Sequence, residues 1–437
     1  MTDHRTLLSH AAREAYAVAL PCWIWGYPLV ETLRTCAARL AEADTPVNQL
    51  HHDTQPSTHH DRWVVTPAND LLYSTAWVHL ADGPVYLDVP APTGRYFVMA
   101  LLDAHTNNWC NIGPEAGGAG TSRHAIVGPD WHGDLPADVQ VIHAPTDLVW
   151  LIGRILVDDA SDLAAAQALQ QGFALHPADG RPARAPASVT AYDDGADPLA
   201  FFGNLARGLT DFPVAESERG LVALWRAIGI RPGVPFMPDA LAPDVRQALA
   251  WAAHDARDII LAATRSARAK PWGLSLRLGV YGDDYRLRAA TAMKGLGALA
   301  GTEAVYALAD FDADRAPLSG EHDYILHFPA GELPPADAFW SVTLYGEDFF
   351  LVDNPIARYA LGDRTRGLEH HPDGSLTLYI QHAAPAAGTA NWLPAPAGPF
   401  YLILRMYRPG ERVLGRAYQI PPVQRVPANP RPEEASA

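Results

Sequence analysis

Lysine is nearly absent from this chain: Lys270 and Lys294 are its two, every other cation is an arginine, and no basic run occurs anywhere. With 33 Lys and Arg against 49 Asp and Glu, the formal net charge is −16. Binding to nucleic-acid phosphates or anionic lipid needs clustered cations, so neither is expected as a partner. Cysteine is scarce too. Cys22 and Cys36, in a helical pattern, would stand roughly 20 Å apart at a rise of about 1.5 Å per residue, too far to bridge, and Cys110 is alone. An odd count without a framework suits a reducing compartment.

Long apolar runs are missing as well. The stretch from Ala15 to Val30 is broken by Pro21, Gly26 and Pro28 and falls short of a bilayer span, and the N-terminus lacks a cationic n-region and a small-residue cleavage site. These features predict no membrane partner and a cytoplasmic location. A P-loop, GxGxxG, HExxH, paired CxxC and GxSxG are absent in any fitting context, so no cofactor is expected from motifs.

What is present is core material. An apolar share of 48% in 437 residues supplies more than one hydrophobic core, and two or three are expected. Apolar residues at helical spacing over 6–20, ended by Pro21, and again from Pro28, predict two N-terminal helices within residues 1–45. Short β-branched and aromatic runs such as LYSTAWVHL, GPVYLDVP, GRYFVMALLD and VWLIGRILV predict a first β module over 46–160. Alanine-rich amphipathic stretches predict a mainly helical connector over 161–290. Strand patterns return as YILHFP, FWSVTLYG, LTLYIQHA and FYLILRMY, a second β module over 291–425, before a proline-rich tail, 426–437, that is expected to be disordered. The class is therefore α+β and β-rich: two antiparallel β-sandwich modules with N-terminal helices and a helical connector. GPVYLDVP and GPFYLILRMY share a rhythm that hints at duplication.

Chemistry concentrates at the ends of strands. In VVTPANDLLYSTAW, Asn69, Asp70 and Tyr73 stand at a strand-entering turn, where Asn and Asp either hydrogen-bond their own backbone or build a site. GRYFVMALLDAHTNNWCNIG carries Arg95, Tyr96 and Asp103 at the two ends of an apolar strand, followed by His105, Asn107 and Asn108. There Asp103 or Asp70 suits a base, Tyr73 an acid or orienter, and Arg95 an anion clamp. A self-satisfied loop explains the same residues equally well. In YGDDYRLRA, Asp284 and Arg288 are spaced to meet on a helix, as a structural ion pair or a substrate-positioning pair. Trp392 beside Asn391 suits ring or sugar binding. The doublets His51-His52, His59-His60 and His370-His371 lack carboxylates at metal-ligand spacing and read mainly as solvated loop residues.

GYPLVETLRT, VVTPANDLLYSTAWVHLADGPVYLDVP and GRYFVMALLDAHTNNWCNIG resemble domain of unknown function 1254. YGDDYRLRA, FWSVTLYGEDFFLVDNPIARYALGDR and NWLPAPAGPFYLILRMY resemble domain of unknown function 1214. The resemblance implies paired jelly-roll-type sandwiches with helical additions, often in homo-oligomers, and implies no particular activity. It departs from members that carry an export signal.

The leading functional expectation is an enzyme acting on a small polar or glycoside-like molecule by acid/base hydrolysis or lyase chemistry. Asp70, Tyr73, Arg95 and Asp103 would be catalytic, and Asn69, Tyr96, Asn107, Asn108, Asp284, Arg288 and Trp392 would bind substrate. The alternatives are a non-catalytic ligand-binding or scaffolding protein and a metal-dependent enzyme using loop histidines.

Overall fold

The computed structural model describes residues 9–42, 46–265 and 270–427. The first module contains β1 His51–His52, β2 Leu71–His79, β3 Val85–Val89, β4 Phe97–Asp103, β5 Asn108–Ile112, β6 Ser122–Val127, β7 Gln140–His143, β8 Leu148–Leu156 and β9 Ala174–Pro177. They form a five-stranded sheet, β1-β2-β8-β4-β5, and a four-stranded sheet, β7-β6-β3-β9. The second module contains β10 Gly273–Leu274, β11 Ala304–Ala309, β12 Tyr324–Phe328, β13 Ala336–Gly346, β14 Ala360–Gly362, β15 Leu376–Gln381, β16 Trp392–Pro394, β17 Phe400–Pro409 and β18 Gln424–Arg425. It repeats the plan, with sheets β10-β11-β17-β13-β14 and β16-β15-β12-β18.

Period-two alternation decides what each strand buries. On β2, Leu72, Ala76 and Val78 join Val85, Leu87 and Ile126 of the facing sheet in one core, whereas Leu71, Tyr73 and Trp77 point to the other side. In the second module Val342, Leu402 and Leu404 face Leu326, Phe328 and Leu378, while Phe339, Tyr345, Tyr401 and Ile403 turn away. The outward faces of both five-stranded sheets share a third core with the helices. These sheets are thus covered on both sides, which explains why their strands read as nearly unbroken apolar runs.

The helices that close this third core are α1 His10–Glu42, α4 Ala200–Asp211, α6 Pro243–Ala263 and α7 Tyr285–Lys294; α2 Leu163–Gln170, α3 Ala187–Thr190 and α5 Arg219–Leu224 are shorter. The two N-terminal helices expected from Pro21 are one, and both Pro21 and Pro28 lie inside it. Each proline removes a backbone hydrogen bond at a cost of about 3 kcal/mol. An apolar face running through Ala15, Ala19, Cys22, Leu29, Leu33 and Cys36, all buried, offsets that loss. The connector carries α2 to α6 separated by loops, and within it β9 pairs with β3 and β10 with β11, so it supplies an edge strand to each module. From residue 428 the expected tail lies outside the described residues.

Candidate functional site

The two five-stranded sheets place the same groups at corresponding positions. In the first, Arg154 on β8 lies across from Tyr73 on β2 and from Val98 on β4. In the second, Arg405 on β17 lies across from Tyr306 on β11 and from Ser341 on β13. Each guanidinium sits over its tyrosine ring, 5.9 Å from the Tyr73 centroid and 6.0 Å from that of Tyr306. A carboxylic residue, Asp70 or Glu303, stands three positions before each tyrosine. The strand that corresponds to FYLILRMY is therefore VWLIGRIL and not GPVYLDVP, which belongs to the four-stranded sheet. The corresponding residues Tyr96 and Phe339 meet edge to face, at 5.6 Å between centroids.

Between these sheets and α7 lies a cavity of about 260 Å³. Tyr73 and Arg154 reach it from the first module, and Tyr306, Ile403, Arg405 and Tyr407 from the second. Helix α7 contributes Leu287, Ala290, Thr291 and Lys294, and the exposed Arg265 and Leu274 mark where the cavity approaches the surface. No carboxylate lines it. Both arginines are held through backbone carbonyls. Arg154 Nη2 donates to Gly297 O at 2.7 Å, and Arg405 Nη2 to Thr66 O at 2.8 Å, with Arg405 Nη1 on Thr343 Oγ1 at 3.1 Å.

Those carbonyls come from left-handed backbone. Gly297 has φ +83°, a conformation that favours glycine, and a Cβ there would push against Ile152 Cδ1 at 2.7 Å. Thr66 adopts φ 50°, a strained conformation for a β-branched residue, and strain of this kind concentrates at functional sites.

Nη1 of Arg154 is buried without a hydrogen-bond partner, and neither Arg154 nor Arg405 is in an ion pair among the described residues. Lys294 does have one: its ammonium is 3.1 Å from Asp310 and 3.8 Å from the Tyr401 ring centroid, and burial lowers its pKa. Burial raises the Tyr73 phenol, while the fields of Arg154 and Arg405 act in the other direction. Burial also raises Asp70, against opposing contributions from Ser341 and Arg405. The two Asp70 oxygens and the Ser341 hydroxyl adjoin one another, buried, without a well-aligned hydrogen bond. Glu303 is likewise raised by burial and accepts the Tyr96 hydroxyl at 2.5 Å.

Of the residues singled out in the sequence, Tyr73 lines the cavity, whereas Asp70 borders a separate cleft on which Asn69, Ser341 and Arg364 lie. Asn69 itself donates to Ser57 O at 2.6 Å. Arg95 lies away from the cavity with its fork already occupied, forming a two-pronged pair with Asp162 at 2.5 Å and donating to Leu156 O. Asp103 folds back on its own loop, accepting the His105 and Asn107 amides at 2.9 Å and the Asn107 side chain. Asn108 ties Leu101 O and Cys110 O together and accepts the Ala300 amide.

Asp284 caps α7 by accepting the Leu287 amide, and its ionic neighbour is Arg277 at 3.4 Å, not Arg288. Arg288 instead points inward over the Trp25 ring. Trp392 is buried and donates to Gln381 O at 2.8 Å, which leaves no exposed ring for a sugar. Among the described residues no cluster of three His, Cys, Asp or Glu could hold a metal ion, and no helix is long and apolar enough to cross a membrane.

Arg154, Arg405, Tyr306 and Tyr407 were missed by reasoning from strand ends. Their signal is a cation in mid-strand, in VWLIGRIL and FYLILRMY, where neither face is solvated.

Residues 47–177 match the family model described as protein of unknown function DUF1254, and residues 303–411 the model for DUF1214. The VPA0106 protein of Vibrio parahaemolyticus has a similar fold, with a TM-score of 0.69 at 24% identity over 94% of this chain and 100% of that one. An uncharacterised protein from Burkholderia cenocepacia aligns at 11% identity and a TM-score of 0.49, over 95% of this chain and 94% of its own. No curated protein matches the chain.

Proposed function

For a chain that belongs to the tandem of DUF1254 followed by DUF1214, we propose an enzyme that encloses a small organic molecule between its two modules and transfers a proton to or from it. The observation that carries this reading is Tyr73, a buried phenol on the wall of the cavity, in the field of Arg154 and Arg405. Its hydroxyl already accepts the Ala68 amide at 2.8 Å, so its proton is free to point at a bound molecule. Burial keeps the phenol protonated, as a general acid must be, and the two guanidiniums stabilise the phenolate left after transfer. Asp70 shapes the same field from beside Ser341. This chemistry fits the protonation step of a lyase or hydrolase.

A purely binding role is the second reading. It is favoured by a lining of cations, phenols and apolar groups that contains neither a carboxylate nor an imidazole to take a proton at neutral pH. One experiment separates the two. A thermal-shift screen of small organic molecules identifies ligands, with Ile403→Trp, which fills the cavity, as the control. Turnover of each hit is then followed in the parent and in Tyr73→Phe. The enzyme reading expects Tyr73→Phe to bind within about threefold of the parent and to lose turnover by at least about a hundredfold. Undiminished turnover in Tyr73→Phe overturns it, and binding without turnover in the parent leaves the binding role. Hits unaffected by Ile403→Trp would place the ligand elsewhere.

A further inference from the structure

The cavity inverts the charge of the molecule around it. The chain carries a formal charge of −16, yet Arg154, Arg405, Lys294 and Arg265 line this one space and no carboxylate does. Lys294 has Asp310 as a counter-ion, and Arg265 is exposed. The remaining two are 6% and 3% exposed, and their described hydrogen bonds go to carbonyls and a hydroxyl, which carry no charge. Burying a guanidinium without an anion is costly, and natural structures pair or solvate such groups. Here one nitrogen of one fork, Arg154 Nη1, is buried without a partner on a cavity wall.

The nearest carboxyls do not fill that role. Asp70 lies in the field of Arg405 and Glu303 in that of Arg154, but neither forms an ion pair with them, and burial favours the uncharged form of both. The rest of the wall is apolar, with Leu287, Ala290, Leu296, Leu308 and Ile403. An apolar cavity of about 150 Å³ is known to take up benzene, so about 260 Å³ accommodates a ring or short alkyl chain with a head group of a few more atoms.

We propose that the ligand of this cavity is an organic monoanion, a carboxylate or sulfonate on a small apolar body, whose head group meets Arg154 of the first module and Arg405 of the second. The inference rests on the cavity being the functional site and adds the class of molecule. Paired oxygens of one head group, as a carboxylate or a sulfonate offers, match the guanidinium fork, and each module contributes one fork from the same position of its central strand. A ligand held this way bridges the modules, and the half-site of either alone is incomplete.

The test is calorimetry of the full chain with matched pairs: benzoate and benzamide, 3-phenylpropionate and 3-phenylpropionamide, benzenesulfonate and benzenesulfonamide, at neutral pH. The pairs share a body and differ in charge. At least one acid is expected to bind ten times or more tighter than its amide. Arg154→Gln, whose amide can still donate to Gly297 O, should abolish that preference, and Arg405→Gln should reduce it. Arg154→Lys, which keeps the charge and loses the fork, should retain only part, and because it leaves a cation in place it guards against misreading a folding defect. A carboxylate preference without a sulfonate one, or the reverse, tells the two head groups apart.

Equal binding of acid and amide, abolished by Ile403→Trp, keeps the site and overturns the anion. Binding of neither partner of any pair overturns both the anion and the site. A preference that survives Arg154→Gln and Arg405→Gln in folded protein overturns the assignment to this cavity.

Discussion

Two regions of this protein bury dense polar groups, and they treat them in opposite ways. In the loop after β4, Asp103, His105, Asn107 and Asn108 are packed together, and the carboxylate and amides are consumed by one another and by backbone. Between the five-stranded sheets, Arg154 Nη1, the Asp70 carboxylate and the Ser341 hydroxyl are buried without well-aligned partners. The first arrangement stabilises a fold, and the second leaves binding capacity over. The loop's carboxylate and amides are spent while its His105 ring is left without partners, whereas between the sheets it is the charged groups that are left over, and an unmet buried group costs about 1–3 kcal/mol that a ligand can recover.

The sharpest way to break that contrast is Asp103→Ala. It strands the His105 and Asn107 amides and the Asn107 side chain, so it should cost on the order of 3–5 kcal/mol, lower Tm by about 3–5 °C, and leave ligand affinity in the folded fraction unchanged. Arg154→Gln should do the reverse, with a loss of at least about tenfold in anion affinity, or about 1.4 kcal/mol, and a smaller change in Tm. Arg95→Ala removes a pair whose side chains are 13% and 19% exposed and should cost about 1–2 kcal/mol in urea unfolding without touching binding.

The smallest effect at neutral pH belongs to His105. Burial lowers its pKa to about 3, and both ring nitrogens lack partners. The folded state refuses a proton that the unfolded chain accepts near 6.5, so the contribution of this group to stability is complete above that value and is lost as pH falls toward 3. Asp70 and Asp103, raised by burial, act with the opposite sign and favour the fold at low pH. His105→Phe should therefore melt close to the parent at pH 7 and increasingly above it toward pH 3. Parallel curves would mean that another group controls the acid limb.

Much of the fold was legible in the chain. The β-rich class and the two modules follow from short strands with turn residues between them; of the two residues singled out at the strand entrance, Tyr73 lines the cavity and Asp70 the neighbouring cleft. The single helix α1 was not, because the cost of Pro21 is visible locally whereas the packing that offsets it arrives from α6 and α7. Arg95 and Asp103 drew attention for the right chemistry, but their partners Asp162 and Asn107 claim them. Arg154 and Arg405 went unnoticed because mid-strand positions are read for periodicity, and their neighbours across the sheet, Tyr73 and Tyr306, lie about 80 and 100 residues away in sequence.

Helix α1 has a further consequence, for synthesis on the ribosome. Tyr16 donates to Asp255 across 239 residues, Trp25 to Glu218 across 193, and Arg288 reaches back to the Trp25 carbonyl. Helix α1 thus completes its packing only once α6 and α7 have been made. At about 5–20 residues per second, α6 is completed roughly 10–45 s after α1. Through that interval the chain holds out a face that carries Trp23, Trp25, Leu29 and Leu33. Until translation reaches α6 and α7, that face has only earlier parts of the chain to pack on, such as His105 against Trp25 and Phe201 against Trp23.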